Sequence, residues 1–123
     1  MLSYVTVGTN DFEKAESFFN DLFAELDIKQ LMKSDRMIWW ADESQGVGFS
    51  VVKPLDGEPA TVGNGVMVAI TAKDKDQVER VYAKALELGG SDEGAPGIRG
   101  MGFYVAYFRD LDGNKFNVFC AKP

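Results

Sequence analysis

The sequence predicts an α+β fold built from two successive βαβββ modules. Two observations point there: a strand, capped helix, strand order that occurs twice, and a C-terminal run of two aromatic-rich strands around a tight turn. A shift of 63 positions carries Tyr4 to Met67, Asp11 to Asp74, Phe18 to Val81 and Phe19 to Tyr82, keeping strand start, helix cap and apolar face in step. A second shift, of 68, carries Trp39-Trp40 to Tyr107-Phe108, Asp42 to Asp110 and Phe49 to Asn117, as expected if one connection differs in length.

In chain order, Tyr4 to Val7 reads as a strand, and Asn10 and Asp11 as helix-start residues. Phe12, Ala15, Phe18, Phe19, Leu22, Phe23 and Leu26 then recur at helical spacing. A short strand around Ile28 to Met32 precedes two further strands, Arg36 to Asp42 and Val47 to Val52. Module one spans 1–54, and the linker 55–65 contains Gly57, Pro59 and Gly63-Asn64-Gly65. Module two spans 66–123. It opens with a strand at Val66 to Thr71, a cap at Asp74 and a helical stripe of Val78, Val81, Tyr82, Ala85 and Leu86 stopped by Gly89-Gly90. A poorly marked short strand falls near Ser91 to Glu93. The closing hairpin turns at Asp110-Leu111-Asp112-Gly113-Asn114, where glycine and asparagine tolerate positive φ and aspartates bond back to turn amides.

Composition narrows the function classes. With 123 residues and 46% hydrophobic content the chain can bury one substantial core. No run is long enough to span a membrane, and Met1-Leu2-Ser3-Tyr4 lacks the basic and apolar regions of a signal peptide, so a cytoplasmic location is expected. A net charge of −6 argues against nucleic acid and anionic membrane surfaces and favours cationic or neutral ligands. Cys120 is the only cysteine, which excludes an intrachain disulfide and a thiolate cluster, and its apolar strand reads as a place for an inert buried thiol. Histidine is absent, so Ser-His and Cys-His pairs are excluded; no phosphate-binding Gly-x-x-x-x-Gly-Lys occurs.

The Asp-x-Asp-Gly-Asn hairpin, the linker Lys53-Pro54-Leu55-Asp56-Gly57-Glu58-Pro59-Ala60, the Gly63-Asn64-Gly65 approach and Ala95-Pro96-Gly97-Ile98-Arg99 together resemble the glyoxalase, bleomycin-resistance and dioxygenase group, the vicinal oxygen chelate superfamily. The resemblance covers nearly the whole chain. It implies curved mixed sheets around a cleft, with metal ligands on the first and last strands of each module. The histidine positions fall on Tyr4 and Met67, and the carboxylate positions on Phe49 and Asn117. A phenol, a thioether, a phenyl ring and an amide do not hold a divalent transition metal tightly, so no metal and no other cofactor is expected. An all-oxygen site from Asp42, Glu43, Asp110 and Asp112 is set aside because these residues fall in turns.

The same resemblance makes Tyr4, Phe49, Met67 and Asn117 the expected cleft residues, with Thr6, Val51 and Ala69 two positions along on the same strand faces. Trp40, Tyr104 and Arg99 complete the candidate ligand-binding set. Adjacent strand residues face opposite ways, so parity alone leaves open which of Trp39 and Trp40, and which of Tyr104 and Tyr107, faces the cleft. Arg99 is read as part of a loop, either solvated or closing over an anionic group. Such a cleft suits a flat or hydrophobic small molecule, oriented by hydrogen bonds from Tyr4 and Asn117.

The resulting functional expectation is a metal-independent glyoxalase/bleomycin-resistance-like protein that binds a small organic molecule, such as an antibiotic or toxin to be sequestered, and works as a homodimer. The alternatives are a lyase or dioxygenase-type enzyme with an atypical site, for which Tyr4 as acid or Glu58 as base is available, and a structural dimeric module whose cleft is filled by its own side chains. No catalytic residue is assigned.

Overall fold

A computed structural model describes residues 1–121. Its elements run β1 (Tyr4–Gly8), α1 (Phe12–Ala24), β2 (Gln30–Lys33), β3 (Met37–Asp42), β4 (Val47–Val52), β5 (Val68–Thr71), α2 (Lys75–Glu87), β6 (Ser91–Arg99), β7 (Phe103–Arg109) and β8 (Lys115–Cys120). They form two four-stranded mixed sheets of the same topology, β1-β4-β3-β2 and β5-β8-β7-β6, so the βαβββ unit occurs twice as the sequence predicts. Residues 53–67 between the sheets contain no helix or strand.

Local chemistry explains where each helix begins. The Asp11 carboxylate accepts the Lys14 amide at 3.1 Å and Asp74 accepts the Gln77 amide at 2.8 Å, satisfying N–H groups that the first helical turn leaves unpaired. Gln77 also accepts from the Lys73 amide and donates to the Glu25 carbonyl at 3.0 Å, which ties the start of α2 to the end of α1. Beyond α2 the chain turns at Gly89, with φ of 102°, and passes under the final hairpin at Gly90. A Cβ at Gly90 would lie 2.6 Å from the Arg109 carbonyl oxygen, so only glycine fits.

The two helices and the near faces of both sheets share one hydrophobic core. Phe19 of α1 is its hub, with its ring 4.9 Å from Phe49 of β4 and 5.6 Å from Phe116 of β8, themselves 5.7 Å apart. Phe49 and Phe116 occupy the same place in their modules, opposite Trp40 and Phe108 of the neighbouring strands. The duplicated unit thus meets its twin through its helix-bearing side. The other face of each sheet is left out of this core.

Three local expectations are corrected. The strand expected near Ser91 to Glu93 is nine residues long and carries two register irregularities, one at Glu93 and one at Ala95-Pro96, with Gly94 paired to Tyr107 between them. Arg99 therefore ends β6 instead of riding on a loop, and the Ala95-Pro96-Gly97-Ile98 stretch before it is strand as well. Finally, the strand expected from Val66 begins at Val68, leaving Met67 just before it.

Candidate functional site

The register of each sheet fixes which side chains leave the core. In module one, Trp39 pairs with Ser50 and Thr6 with Ser50 from the other side, while Tyr4 pairs with Gly48. These residues share the face away from the helices. Trp40, Phe49 and Val51 have the opposite parity and lie 1%, 9% and 1% exposed against α1. Trp40 donates its indole N–H to Asn20 of that helix at 2.9 Å. In module two, Tyr107 and Ala69 flank Asn117 on the open face, while Tyr104 turns to α2 and carries Lys75 Nζ 4.9 Å from its ring centre. Burial, and secondarily the nearby Glu79 carboxylate, pushes the Tyr104 phenol above its usual pKa.

Trp40, Phe49, Val51 and Tyr104, expected together with Tyr4 and Asn117, therefore face the helices and the core and not the open sheet faces. For Trp40 and Tyr104 the strand parity that the sequence left open is settled toward the core; for Phe49 and Val51 the cause is one position. Trp40 to Phe108 is a shift of 68, but the partners of these residues, Phe49 and Phe116, are 67 apart, because the second hairpin is one residue shorter. A one-residue slip moves every side chain of a strand to the other face. The true counterpart of Asn117 is Ser50, and the matching triplets Phe49-Ser50-Val51 and Phe116-Asn117-Val118 carry the signal that the uniform shift passed over.

Ser50 and Asn117 are distinguished by more than symmetry. The Ser50 hydroxyl and the Asn117 Oδ1 are buried and have no hydrogen-bond partner among the described residues. Buried polar atoms are nearly always paired, and an unpaired one costs about 1–3 kcal/mol. The two fall at the same place in the two modules. Around Ser50, the Tyr4 and Trp39 rings pack at 4.3 Å, and the Trp39 indole N–H donates to Met37 Sδ. A Cβ on Gly48 would lie 3.3 Å from Tyr4 Cβ, so this glycine gives the Tyr4 ring its seat. Tyr4 and Met67 are each 41% exposed, and Thr6 and Ala69 are exposed beside them.

Around Asn117 the neighbours are polar and cationic. Arg99 and Lys115 both lie 5.5 Å from the Tyr107 ring centre, and Arg109 forms an ion pair with Glu93. Arg99 Nη1 and Nη2 donate to the Val105 and Ala95 carbonyls, each at 2.6 Å. At the turn beyond, Asp110 is buried and accepts from the amides of Asp112 and Asn114 and from the Asn114 side chain. Its burial raises the carboxyl above the ordinary aspartate value of 3.8 against the lowering effect of the Asn114 donors. Asp110 is thereby a turn residue, as are Asp42 and Asp112.

A separate groove of about 450 Å³ runs between the two modules, bounded by Val5, Phe23, Trp40, Phe49 and the β5 segment from Met67 to Thr71. Its lining is mainly apolar, with Asp42 and Gln45 among the few polar side chains. This groove, not the open faces, is what Trp40 and Phe49 line.

The residues at the four symmetry-related strand positions are Tyr4, Ser50, Met67 and Asn117: a phenol, an alcohol, a thioether and an amide. All are neutral, a donor set that does not suit a tightly held transition metal. No group of three or more His, Cys, Asp or Glu side chains with metal-binding geometry occurs among the described residues. No helix of the described residues is long and apolar enough to cross a membrane.

Comparison with known proteins agrees with this architecture. The family model described as the Glyoxalase/Bleomycin resistance protein/Dioxygenase superfamily matches residues 1–118. A glyoxalase/bleomycin resistance protein from Albidiferax ferrireducens is 32% identical, with a TM-score of 0.90 over 98% of each chain. More distant structures share the fold: a lactoylglutathione lyase from Agrobacterium tumefaciens (18% identity, TM-score 0.72, 98% of this chain and 93% of that one) and the fosfomycin resistance protein FosX from Mesorhizobium loti (19%, 0.71, 98% and 92%). No curated protein matches the sequence. With its duplicated βαβββ units and their shared topology, the chain belongs to the glyoxalase/bleomycin resistance protein/dioxygenase superfamily.

Proposed function

We propose that this protein binds a small organic molecule on the open faces of its sheets, without a metal ion, and acts by sequestering or carrying that molecule. The observation that carries this reading is the pair of buried, unpartnered polar atoms, Ser50 Oγ and Asn117 Oδ1, at equivalent places in the two modules. Both atoms are covered in the free chain, so a ligand reaches them as the side chains over them move aside, and a hydrogen bond made there then removes a cost the folded chain otherwise bears. The aromatic rings beside them, Tyr4, Trp39 and Tyr107, offer flat apolar contact of the kind that lines small-molecule sites. A relative of similar fold bears the name of a fosfomycin resistance protein, which agrees with a role in handling a toxic compound.

We further propose a homodimer in which the open face of one module is closed by a module of a second copy. Support comes from the apolar side chains that a single chain leaves exposed there or on the sheet edges, including Tyr4, Met32, Met67, Ile98 and Phe103. Such a dimer carries two equivalent clefts.

Native mass spectrometry of gently purified protein tests both parts. The expected species is a dimer without stoichiometric metal that carries a small organic mass. One retained metal ion per chain would overturn the metal-free reading and turn attention to lyase or dioxygenase chemistry.

A further inference from the structure

The open face of module two carries an unbalanced positive charge in a chain that is acidic as a whole. Arg109 is neutralised by Glu93. Arg99 and Lys115 have no ion pair among the described residues, yet both sit against the ring of Tyr107, whose strand neighbour on β8 is Asn117 with its unpartnered Oδ1. The Arg99 guanidinium is oriented by two carbonyls, which fix its plane and leave its charge uncompensated. Gly94 permits this closeness: a Cβ there would stand 3.1 Å from Tyr107 Cδ2 and 3.4 Å from Arg99 Nη2. Glu93, the acidic residue next to that glycine on β6, is taken by Arg109, and Asp92 accepts from the Tyr82 hydroxyl of α2 on the opposite side of the sheet. A guanidinium pinned with its charge unanswered, with a second unpaired cation on the same tyrosine ring, is arranged for an anion.

The same face supplies an apolar seat next to these charges. Phe103 pairs directly with Arg99, and its ring lies 5.6 Å from that of Phe119. We infer that the ligand of this face is an amphipathic organic anion, a carboxylate or phosphonate on an apolar body, with its head group between Arg99 and Lys115 and its body on Phe103 and Phe119. This rests on the small-molecule reading above and gives the ligand's charge. It runs against the expectation drawn from net charge, because a bound head group feels the cations within a few ångströms far more than a screened distribution over the whole surface.

The experiment is a calorimetric titration of four probes of one shape: phenylphosphonate, benzoate, neutral benzamide and cationic benzylamine. The anions are expected to bind at least tenfold more tightly than benzamide, and Arg99→Gln with Lys115→Gln to weaken them at least tenfold. The charge-keeping pair Arg99→Lys with Lys115→Arg should retain at least part of that binding, which separates lost charge from lost folding. Tighter phenylphosphonate assigns a phosphonate or phosphate head group, and tighter benzoate a carboxylate; both support the inference. Benzamide or benzylamine binding as well as the anions, or anion binding indifferent to the double glutamine variant, would overturn it and leave the small-molecule reading standing. Failure of all four probes, together with failure of purified protein to carry any organic mass, would overturn both.

Discussion

The two modules share a scaffold and differ on the surface they leave open. Toward the helices they are near copies: Phe49 answers Phe116, Val51 answers Val118 and Asp11 answers Asp74. On the far side, module one shows Tyr4, Thr6, Trp39 and Ser50, a neutral aromatic patch, where module two shows Arg99, Tyr107, Lys115 and Asn117. Gly48, which seats Tyr4, answers Lys115, which supplies a charge, so one small-to-long difference redirects the chemistry of a face. Packing constrains the inner surfaces because their side chains share one core. Nothing in the fold imposes the same demand outside.

Substitutions that pit the inner surface against the outer one should show the largest effect. Phe19→Ala removes the ring that joins β4 to β8 and should cost about 3–5 kcal/mol. Tyr4→Ala, an equally drastic truncation on the open face, should cost about 1 kcal/mol or less. Urea unfolding of the two variants checks the contrast, and similar losses would mean that the open face is itself core.

The hairpin turns offer a smaller contrast between the modules. Asp110 holds three buried or half-buried donors, whereas Asp42 in the first turn bonds only to the exposed Ser44 amide and hydroxyl. Asp110→Ala should cost about 1–3 kcal/mol and Asp42→Ala about 1 or less. The first loss should depend on pH. Because burial raises the folded carboxyl above its unfolded value, the folded state takes up the proton first on acidification. The stability linked to that proton is fully present below the unfolded value and fades as pH rises through the folded one. The gap between wild type and Asp110→Ala should thus widen in mild acid, and denaturant midpoints at neutral pH and near pH 4 measure it. A gap that narrows would mean that the folded carboxyl titrates below its unfolded value, with its hydrogen-bond donors outweighing burial.

Most of the fold was legible in the sequence because its signals are local. The Asp11 and Asp74 carboxylates cap their helices by accepting the amides three residues on, and the apolar stripes of α1 and α2 need only helical periodicity to be recognised. The site was legible in part. Tyr4, Thr6, Ala69 and Asn117 fall on the open faces as expected, with Met67 beside β5, but Trp40, Phe49, Val51 and Tyr104 do not, because face assignment in a strand depends on single-residue register. Arg99 was in the candidate set, but its company with Lys115 stayed hidden for a different reason. Arg99 and Lys115 are 16 positions apart and come to the same tyrosine ring only because β6 extends through Pro96 to lie beside β7, a length that glycine-rich sequence does not advertise.

The turn at Asp110–Asn114 also reaches back to the beginning of the chain. Asn114 donates to the Gly8 carbonyl at 2.9 Å, across 106 positions, and Asp112 accepts the Asn10 amide at 2.8 Å, across 102. Asn10 in turn grips Ala60 of the linker with both its amide atoms. Such a latch cannot close until the last hairpin exists, and the loop entropy it spans is repaid only at that moment. A nascent chain that has not yet gained its final hairpin would thus expose the end of β1 unlatched. Amide exchange at Asn10 in a chain truncated after Cys120 and in one truncated after Arg109 should differ, with protection confined to the former.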